Sequence, residues 1–143
     1  MKIIALLAIV LAGFLAYVRL APSRAELWHQ SLVADGGAQT TLPGGYRVHL
    51  VLGPQARADF ERLVALILAA PDTRLLAGSA EAGHVTVISR TRVVGFPDYT
   101  TLQLSEDGTL SIYGRLRFGR SDLGVNKARI RAWLTAAQID HPA

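Results

Sequence analysis

The sequence predicts an α+β domain behind an apolar N-terminal helix, and three observations support this fold class. Residues 3–18 contain no charged side chain. Between residues 46 and 118, short runs of alternating polarity are separated by turn residues, which is typical of antiparallel strands. Two further segments place apolar residues at helical spacing. Strands that lie between two amphipathic helices indicate a small antiparallel sheet with both helices packed on one face.

The N-terminal segment predicts a membrane anchor. Residues 3–18 form about 24 Å of helix, somewhat short of a hydrocarbon core of about 30 Å. The apolar run continues past Arg19, whose side chain is long enough to reach the head groups, and Pro22 ends the helix. We therefore expect an uncleaved transmembrane anchor over residues 1–21. The alternative is a cleaved signal peptide, although no clean small-residue cleavage site is present.

After the anchor, the sequence predicts a linker and then one folded domain. Residues 22–45 contain two groups of turn-forming residues, Asp35-Gly36-Gly37 and Pro43-Gly44-Gly45, and indicate a linker. Within it, Trp28 fits either the membrane interface or the edge of the domain. The domain itself is expected over residues 46–138. Its predicted strands cover residues 46–52, 74–77, 85–93, 99–104 and 109–118.

Two amphipathic helices complete the predicted domain. The first begins near Phe60 and ends before Pro71, and the second covers residues 123–137. Ser121 or Asp122 is the expected N-cap of the second helix. In the last strand, alternation places two sets of side chains on opposite faces of the sheet. Leu110, Ile112, Leu116 and Phe118 form the apolar set, and Ser111, Tyr113, Arg115 and Arg117 form the polar set.

Composition limits the classes of function. The chain has 143 residues, of which half are hydrophobic, so it is long enough for one well-cored domain. It carries 15 Lys and Arg against 11 Asp and Glu, and nearly all the basic residues are arginines. This preference for arginine has two explanations: codon usage in a GC-rich genome, or a weak attraction of the protein to anionic lipids or polyanions. The absence of cysteine excludes disulfides and thiolate chemistry.

Familiar catalytic and cofactor motifs are absent from the sequence. It contains no Gly-rich phosphate loop, no G-x-S-x-G elbow and no H-E-x-x-H motif. The four histidines lack the spacing of metal ligands. We therefore expect no cofactor and no metal. The arginines also lack interleaved aromatic residues, so no nucleic-acid partner is expected.

A polar stripe on the second predicted helix is the first candidate site. Asp122, Asn126 and Arg129 follow one another at helical spacing and share the inward face with Ile130. A structural role explains the stripe if Asp122 caps the helix, Asn126 bonds to a strand backbone and Arg129 pairs with Asp122 or Asp98. A buried Asn must be hydrogen-bonded or it costs about 1–3 kcal/mol.

A functional role for the stripe is the alternative, because several arginines come from neighbouring strands. Arg90 and Arg92 have the same strand parity and should project from one face of the sheet. Guanidinium groups there would supply bidentate donors to an anionic head group. The candidate ligand-binding residues are therefore Arg90, Arg92, Arg117, Arg120, Asp122, Asn126 and Arg129.

Several motifs in the second half of the chain resemble one known family. They are Ser89-Arg90-Thr91-Arg92, Gly95-Phe96-Pro97-Asp98, Arg115 to Asn126, and Arg129-Ile130. Together they are similar to domain of unknown function 1499. The resemblance implies an envelope protein of Gram-negative bacteria. Together with the anchor predicted from residues 1–21, it favours a single span of the inner membrane with the domain in the periplasm. It implies no activity.

Three functions stay open at this point. The anchor, the absent catalytic motifs and the arginines favour a non-enzymatic binding or accessory module for an anionic small molecule or lipid head group. An enzyme acting on a phosphate- or carboxylate-bearing lipid is the alternative, and it would use Asp98 or Asp122 beside an arginine. The third is an interaction domain that pairs with an envelope protein through its sheet edge.

Overall fold

The computed structural model of the chain describes residues 1–33, 38–91 and 94–142, and these ranges contain four helices and six strands. In chain order the elements are α1 (Lys2–Leu20), α2 (Ala25–Trp28), β1 (Gln39–Leu42), β2 (Gly45–Val51), α3 (Ala56–Leu68), β3 (Thr73–Ser79), β4 (His84–Arg90), β5 (Pro97–Leu104), β6 (Thr109–Leu116) and α4 (Val125–Ala136).

The six strands form one antiparallel sheet in the order β1-β2-β6-β5-β4-β3. Strands β3 to β6 follow one another as a meander, and β2 adds to the free side of β6. Helix α3 connects β2 to β3 and crosses one face of the sheet, where it also contacts α4. The predicted α+β fold, with both helices on one face, is confirmed.

The hydrophobic core lies between this face and the two helices. Helix α3 buries Phe60, Leu63 and Ile67, which recur at helical spacing, and α4 buries Ile130 and Leu134. These side chains meet alternate residues of the central strands, because successive strand residues point to opposite faces. Burial of each large apolar side chain contributes about 1.5–3 kcal/mol, and this packing holds the helices against the sheet.

Two strands end two or more residues earlier than the sequence predicts, and β2 ends one residue earlier. Strand β6 ends at Leu116, where its ladders to β2 and β5 stop: the last pairs are Arg115 with Gly45 and Leu116 with Asp98. Strand β4 ends at Arg90, opposite Pro97, which has no N–H to continue the ladder. Residues 92–93, at the end of that predicted strand, lie outside the described residues.

Residues 21–33, which we call the strap, lie across the face of the sheet opposite α3 and α4. The backbone N–H of Leu32 donates to Gln103 Oε1 at 2.7 Å, and His29 Nδ1 lies 2.9 Å from Thr86 Oγ1. Further along, β1 pairs with β2. The stretch expected as a linker thus contains α2, the strap and an edge strand. The strap contacts to Thr86 and Gln103 join residues more than 50 positions apart. The local pattern of turn-forming residues therefore could not indicate them.

Helix α1 is a candidate transmembrane span. Among the described residues, it is the one helix that is long and apolar enough to cross a membrane, and a signal sequence meets the same test. Its 19 residues give about 28 Å of helix. Most of its side chains are exposed, whereas Val18 near its end is fully buried against the domain.

Candidate functional site

The C-terminal end of α1 packs against one end of the sheet. The Phe14 ring meets the Phe96 ring edge to face, with centroids 6.3 Å apart, and Tyr17 meets Phe118 in the same way at 6.2 Å. Phe96 precedes β5 and Phe118 follows β6. Because β5 and β6 are neighbours, the two rings come from adjacent strand ends, and their own centroids are 6.1 Å apart.

Two arginines tie the sheet to the end of α1 through backbone carbonyls. Arg90, the last residue of β4, donates from Nη1 to Gly95 O at 2.9 Å and from Nη2 to Arg19 O at 3.2 Å. Arg117 donates from Nη1 to Pro22 O at 3.0 Å. The last carbonyls of a helix have no partner within the helix, and they carry partial negative charge. Arginines are therefore well suited to this position.

A third arginine completes this end of the molecule. Arg19 Nε donates to Val94 O at 3.3 Å. Between Arg19 and Arg90 lies a cleft of about 320 Å³, also lined by Thr91 and Gly95, which we call the exit cleft. Among the described residues, no carboxylate lies at ion-pair distance from these two guanidinium groups. In the described part of the chain, both guanidinium groups bond to carbonyl oxygens and not to carboxylates.

The predicted polar stripe on α4 forms a second cluster around Asp98. Arg129 Nη1 donates to Asp98 Oδ2 at 3.1 Å and to Asn126 Oδ1 at 3.0 Å. Asn126 is completely buried, and its Oδ1 accepts from a side chain and not from the strand backbone that we expected. Gly114 of β6 makes this packing possible, because a Cβ there would lie 3.1 Å from Asn126 Oδ1 and 2.9 Å from Ile130 Cδ1.

The start of α4 differs slightly from the prediction. Gly124, with φ of 81°, is the N-cap, in place of the expected Ser121 or Asp122. Asp122 still satisfies free N–H groups, because its carboxylate accepts from Gly124 N at 3.1 Å and from Asn126 N at 3.0 Å. The cap position has a left-handed backbone conformation, which glycine adopts easily. The helix therefore begins at Val125, two residues later than the sequence predicts.

The two carboxylates of this cluster have opposite pKa shifts. Burial raises the pKa of Asp98, and the positive charge of Arg129 only partly opposes this. Partial burial also acts to raise the pKa of Asp122, but hydrogen bonds from the N–H groups of Asn126 and Gly124 lower it overall. Asp122 is therefore held as a carboxylate, whereas Asp98 depends on Arg129 for its charge.

A second cleft, of about 180 Å³, lies next to this cluster, and we call it the acidic cleft. Its lining is half apolar and half polar, and Asp98 and Asp122 are the two carboxylates among the polar residues. The full lining is Thr91, Phe96, Asp98, Leu116, Phe118, Ser121, Asp122 and Val125. Thr91 lines both this cleft and the exit cleft, so the two clefts are neighbours.

The structure thus distributes the predicted site residues over two clusters. Arg90 and Arg117 lie at the end of α1, whereas Asp122, Asn126 and Arg129 lie at the start of α4. Arg120 is exposed in the turn before α4. Arg92 lies outside the described residues.

Sequence reasoning did not assign Arg19 or Gly95 to a site. Arg19 had appeared only as a residue at the edge of the membrane. Two of the family motifs, Ser89-Arg90-Thr91-Arg92 and Gly95-Phe96-Pro97-Asp98, contain Thr91 and Gly95 and were the available signal for the exit cleft. In the described parts of the chain, no three His, Asp or Glu side chains are grouped to hold a metal ion.

Residues 38–136 match a family model described as protein of unknown function, DUF1499. The chain belongs to the DUF1499 family. No curated protein matches it. The DUF1499 region begins just before β1 and ends with α4, so it contains the whole sheet, both packed helices and the acidic cleft. Helix α1 and the strap precede it, and Arg19 of the exit cleft therefore comes from outside the family region.

Proposed function

We propose that this DUF1499 protein is a membrane-anchored, non-enzymatic binding module that holds an anionic lipid head group in the exit cleft. The observation that carries the proposal is the pair of guanidinium groups, from Arg19 and Arg90, that face one cleft beside the end of α1. The proposal includes a bacterial inner membrane, a single span and a domain on the periplasmic side.

The length and surface of α1 support the membrane anchor. A helix of about 28 Å suits a hydrocarbon core of about 30 Å. Ile3, Leu7 and Val10 are more than half exposed, so the apolar surface of α1 is free to contact lipid. Tyr17 and Arg19 then lie where the span reaches the head groups, a level that favours both residue types.

The charge of the exit cleft supports an anionic ligand. Arg19 and Arg90 bond only to carbonyl oxygens among the described residues, and no described carboxylate pairs with either of them. Arg117 adds a third charge at the same end of α1. Guanidinium groups offer several donors in one plane and bind phosphate strongly. The phosphate layer of a bilayer lies at the level where α1 ends.

An enzyme that acts on a phosphate- or carboxylate-bearing lipid is the second candidate. Its support is Asp98, whose pKa burial raises and which lines the acidic cleft beside the exit cleft. We favour the binding module because Arg129 and Asn126 already engage this carboxylate in a structural network. An interaction domain that uses the sheet edge at β3 is the third candidate.

Thermal unfolding of the full chain in lipid nanodiscs tests the binding module. Phosphatidylcholine discs are compared with discs that also contain phosphatidylglycerol. Bound head group should raise the midpoint by about 4 °C, equivalent to about 1 kcal/mol. Arg19→Gln/Arg90→Gln should lose this gain. An equal gain in the double variant, or none in the unmodified chain, would overturn the proposal.

Arg57→Gln is the matched control. Arg57 also donates to two carbonyl oxygens, those of Ala80 and Glu81, and its loss removes one positive charge. It lies near the β3–β4 turn, at the opposite end of β4 from Arg90. A second comparison distinguishes a free anion from a lipid head group as the ligand. It measures the thermal midpoint in sulfate and in chloride, at matched ionic strength, in phosphatidylcholine discs. A gain in sulfate shows that a free anion suffices, whereas a gain with phosphatidylglycerol alone shows that the lipid is needed.

A further inference from the structure

We infer that the end of the domain beside α1 is immersed in the interfacial layer of the bilayer, so that the domain lies directly on the membrane. This end, which we call the immersed edge, consists of Phe96, Phe118, Leu123 and Val125. The partner is the lipid bilayer itself. The inference rests on the membrane anchor of the proposed function and adds a second surface to it.

The first argument is depth along α1. Phe14 lies six residues before the end of the helix at Leu20, which places it about 9 Å inside that end. All of α1 is needed to cross a core of about 30 Å, so its last residue lies at the head groups. Phe96 contacts Phe14 with ring centroids 6.3 Å apart. The domain therefore reaches below the head groups at Phe96.

The second argument is that the orientation of the domain on α1 is fixed. Val18 is fully buried, and Arg90 donates to the Arg19 carbonyl. Arg117 donates to the carbonyls of residues on the other side of the helix end, including Pro22 at 3.0 Å. The two arginines come from the ends of β4 and β6, on either side of β5. The domain cannot turn its immersed edge away from the membrane without breaking them.

The third argument is the apolar surface of the turn before α4. Leu123 is 92% exposed and has φ of 52°, in a region that leucine rarely adopts. The turn is held in this form, because Ser121 Oγ accepts from Leu123 N and Asp122 accepts from Gly124 N. The turn thus exposes the apolar side chain of Leu123 to solvent. Lipid contact would remove this apolar surface from water.

The acidic cleft connects this turn to the aromatic residues beside α1. Phe96, Phe118 and Val125 all line that cleft, so the turn lies at the same end of the domain as the aromatic contacts with α1. Val125 is also exposed, at 44%. Apolar residues that project from one end of a membrane-tethered domain, with arginines beside them, match the composition of an interfacial surface.

Site-directed spin labelling tests this inference directly, because the chain contains no cysteine. Single Cys variants Leu123→Cys, Val51→Cys and Ile9→Cys are labelled in the full chain in nanodiscs. Accessibility is then measured to oxygen, which dissolves in lipid, and to a nickel chelate, which stays in water. Val51 is the matched control, because it is 83% exposed and lies at the far end of β2, about 20 Å from Gly45.

The expected result is that the label at Leu123 shifts towards the high oxygen-to-nickel ratio of Ile9, whereas the label at Val51 has the low ratio of a water-exposed site. A ratio at Leu123 equal to that at Val51, with Ile9 in lipid, would overturn the immersed edge and leave the anchor intact. A low ratio at Ile9 as well would overturn the anchor, and with it both proposals.

Discussion

The indole ring of Trp28 stacks on the phenol ring of Tyr99, with centroids 3.8 Å apart and planes 10° from parallel. Tyr99 lies in β5, near the middle of the sheet, and is fully buried. The Trp28 carbonyl accepts hydrogen bonds from Thr101 and Arg115, and the Arg115 guanidinium lies 5.3 Å from the indole centroid. Trp28 therefore joins the strap to the domain through both its ring and its carbonyl.

Loss of this stack should weaken the folded domain. We expect Trp28→Ala to destabilise by about 1–2 kcal/mol, since an aromatic pair contributes about 0.5–1.5 kcal/mol beyond the area it buries. Leu27→Ala is the control, because Leu27 is 63% exposed and should change stability by less than about 0.5 kcal/mol. Urea unfolding in detergent, followed by far-ultraviolet circular dichroism, measures both. Equal midpoints for the two variants would show that the strap does not stabilise the sheet.

The paired histidines predict a loss of stability in mild acid. His29 stacks on His84 with centroids 3.8 Å apart. Burial lowers the pKa of His84, and the charge of His29 lowers it further. The folded state therefore binds this proton less readily than the unfolded state. The stability that the uncharged His84 side chain contributes to the fold is fully present above the usual histidine pKa of about 6.5. It is lost as the pH falls below that value.

Unfolding of the His84→Gln variant tests this pH dependence. Its thermal midpoint should fall less than that of the unmodified chain between about pH 7 and about pH 5. His141→Gln, outside the stack, should keep the original dependence. A His84→Gln profile as steep as the original one would assign the acid sensitivity to other groups.

The ion pair between Asp98 and Arg129 should be strongly coupled. The two side chains are only 7% and 15% exposed. Asp98→Asn leaves the Arg129 charge without its carboxylate and should destabilise by about 3 kcal/mol. Arg129→Gln should cost a similar amount. In the double variant we expect a loss smaller than the sum by at least about 1 kcal/mol. Additive losses in urea unfolding would show that the pair does not act as a unit.

Asn126 should contribute to stability through its acceptor. Asn126→Leu removes the oxygen that accepts from Arg129 and places a larger side chain against Gly114. We expect a loss of about 1–3 kcal/mol. Ala128→Leu, on the exposed face of the same helix, should stay within about 0.5 kcal/mol. An unchanged midpoint for Asn126→Leu would argue against a structural role and favour a ligand-binding one.

The residues of the candidate site were predictable individually and not as a group. Motif resemblance and strand parity selected Arg90, Arg117 and Asn126. Neither indicated that Arg90 and Arg117 would bond to carbonyls at the end of α1. Those contacts join residues more than 70 positions apart, and no local pattern encodes such a distance. The pairing of Arg129 with Asp98 was one of two alternatives, and the position of α4 against the sheet decided it.

The sequence by itself determined the fold class, the candidate span and the family, because periodicity, apolar length and motifs are properties of neighbouring residues. Alternation along β6 and helical spacing in α3 and α4 follow from the geometry of each element. The tertiary structure decided that residues 21–33 form a strap across the sheet. It also decided that Arg19 and Arg90 share a cleft. Both depend on packing between residues that are far apart in the sequence. Turn-forming residues and charge counts are local features and do not indicate which distant surfaces come into contact.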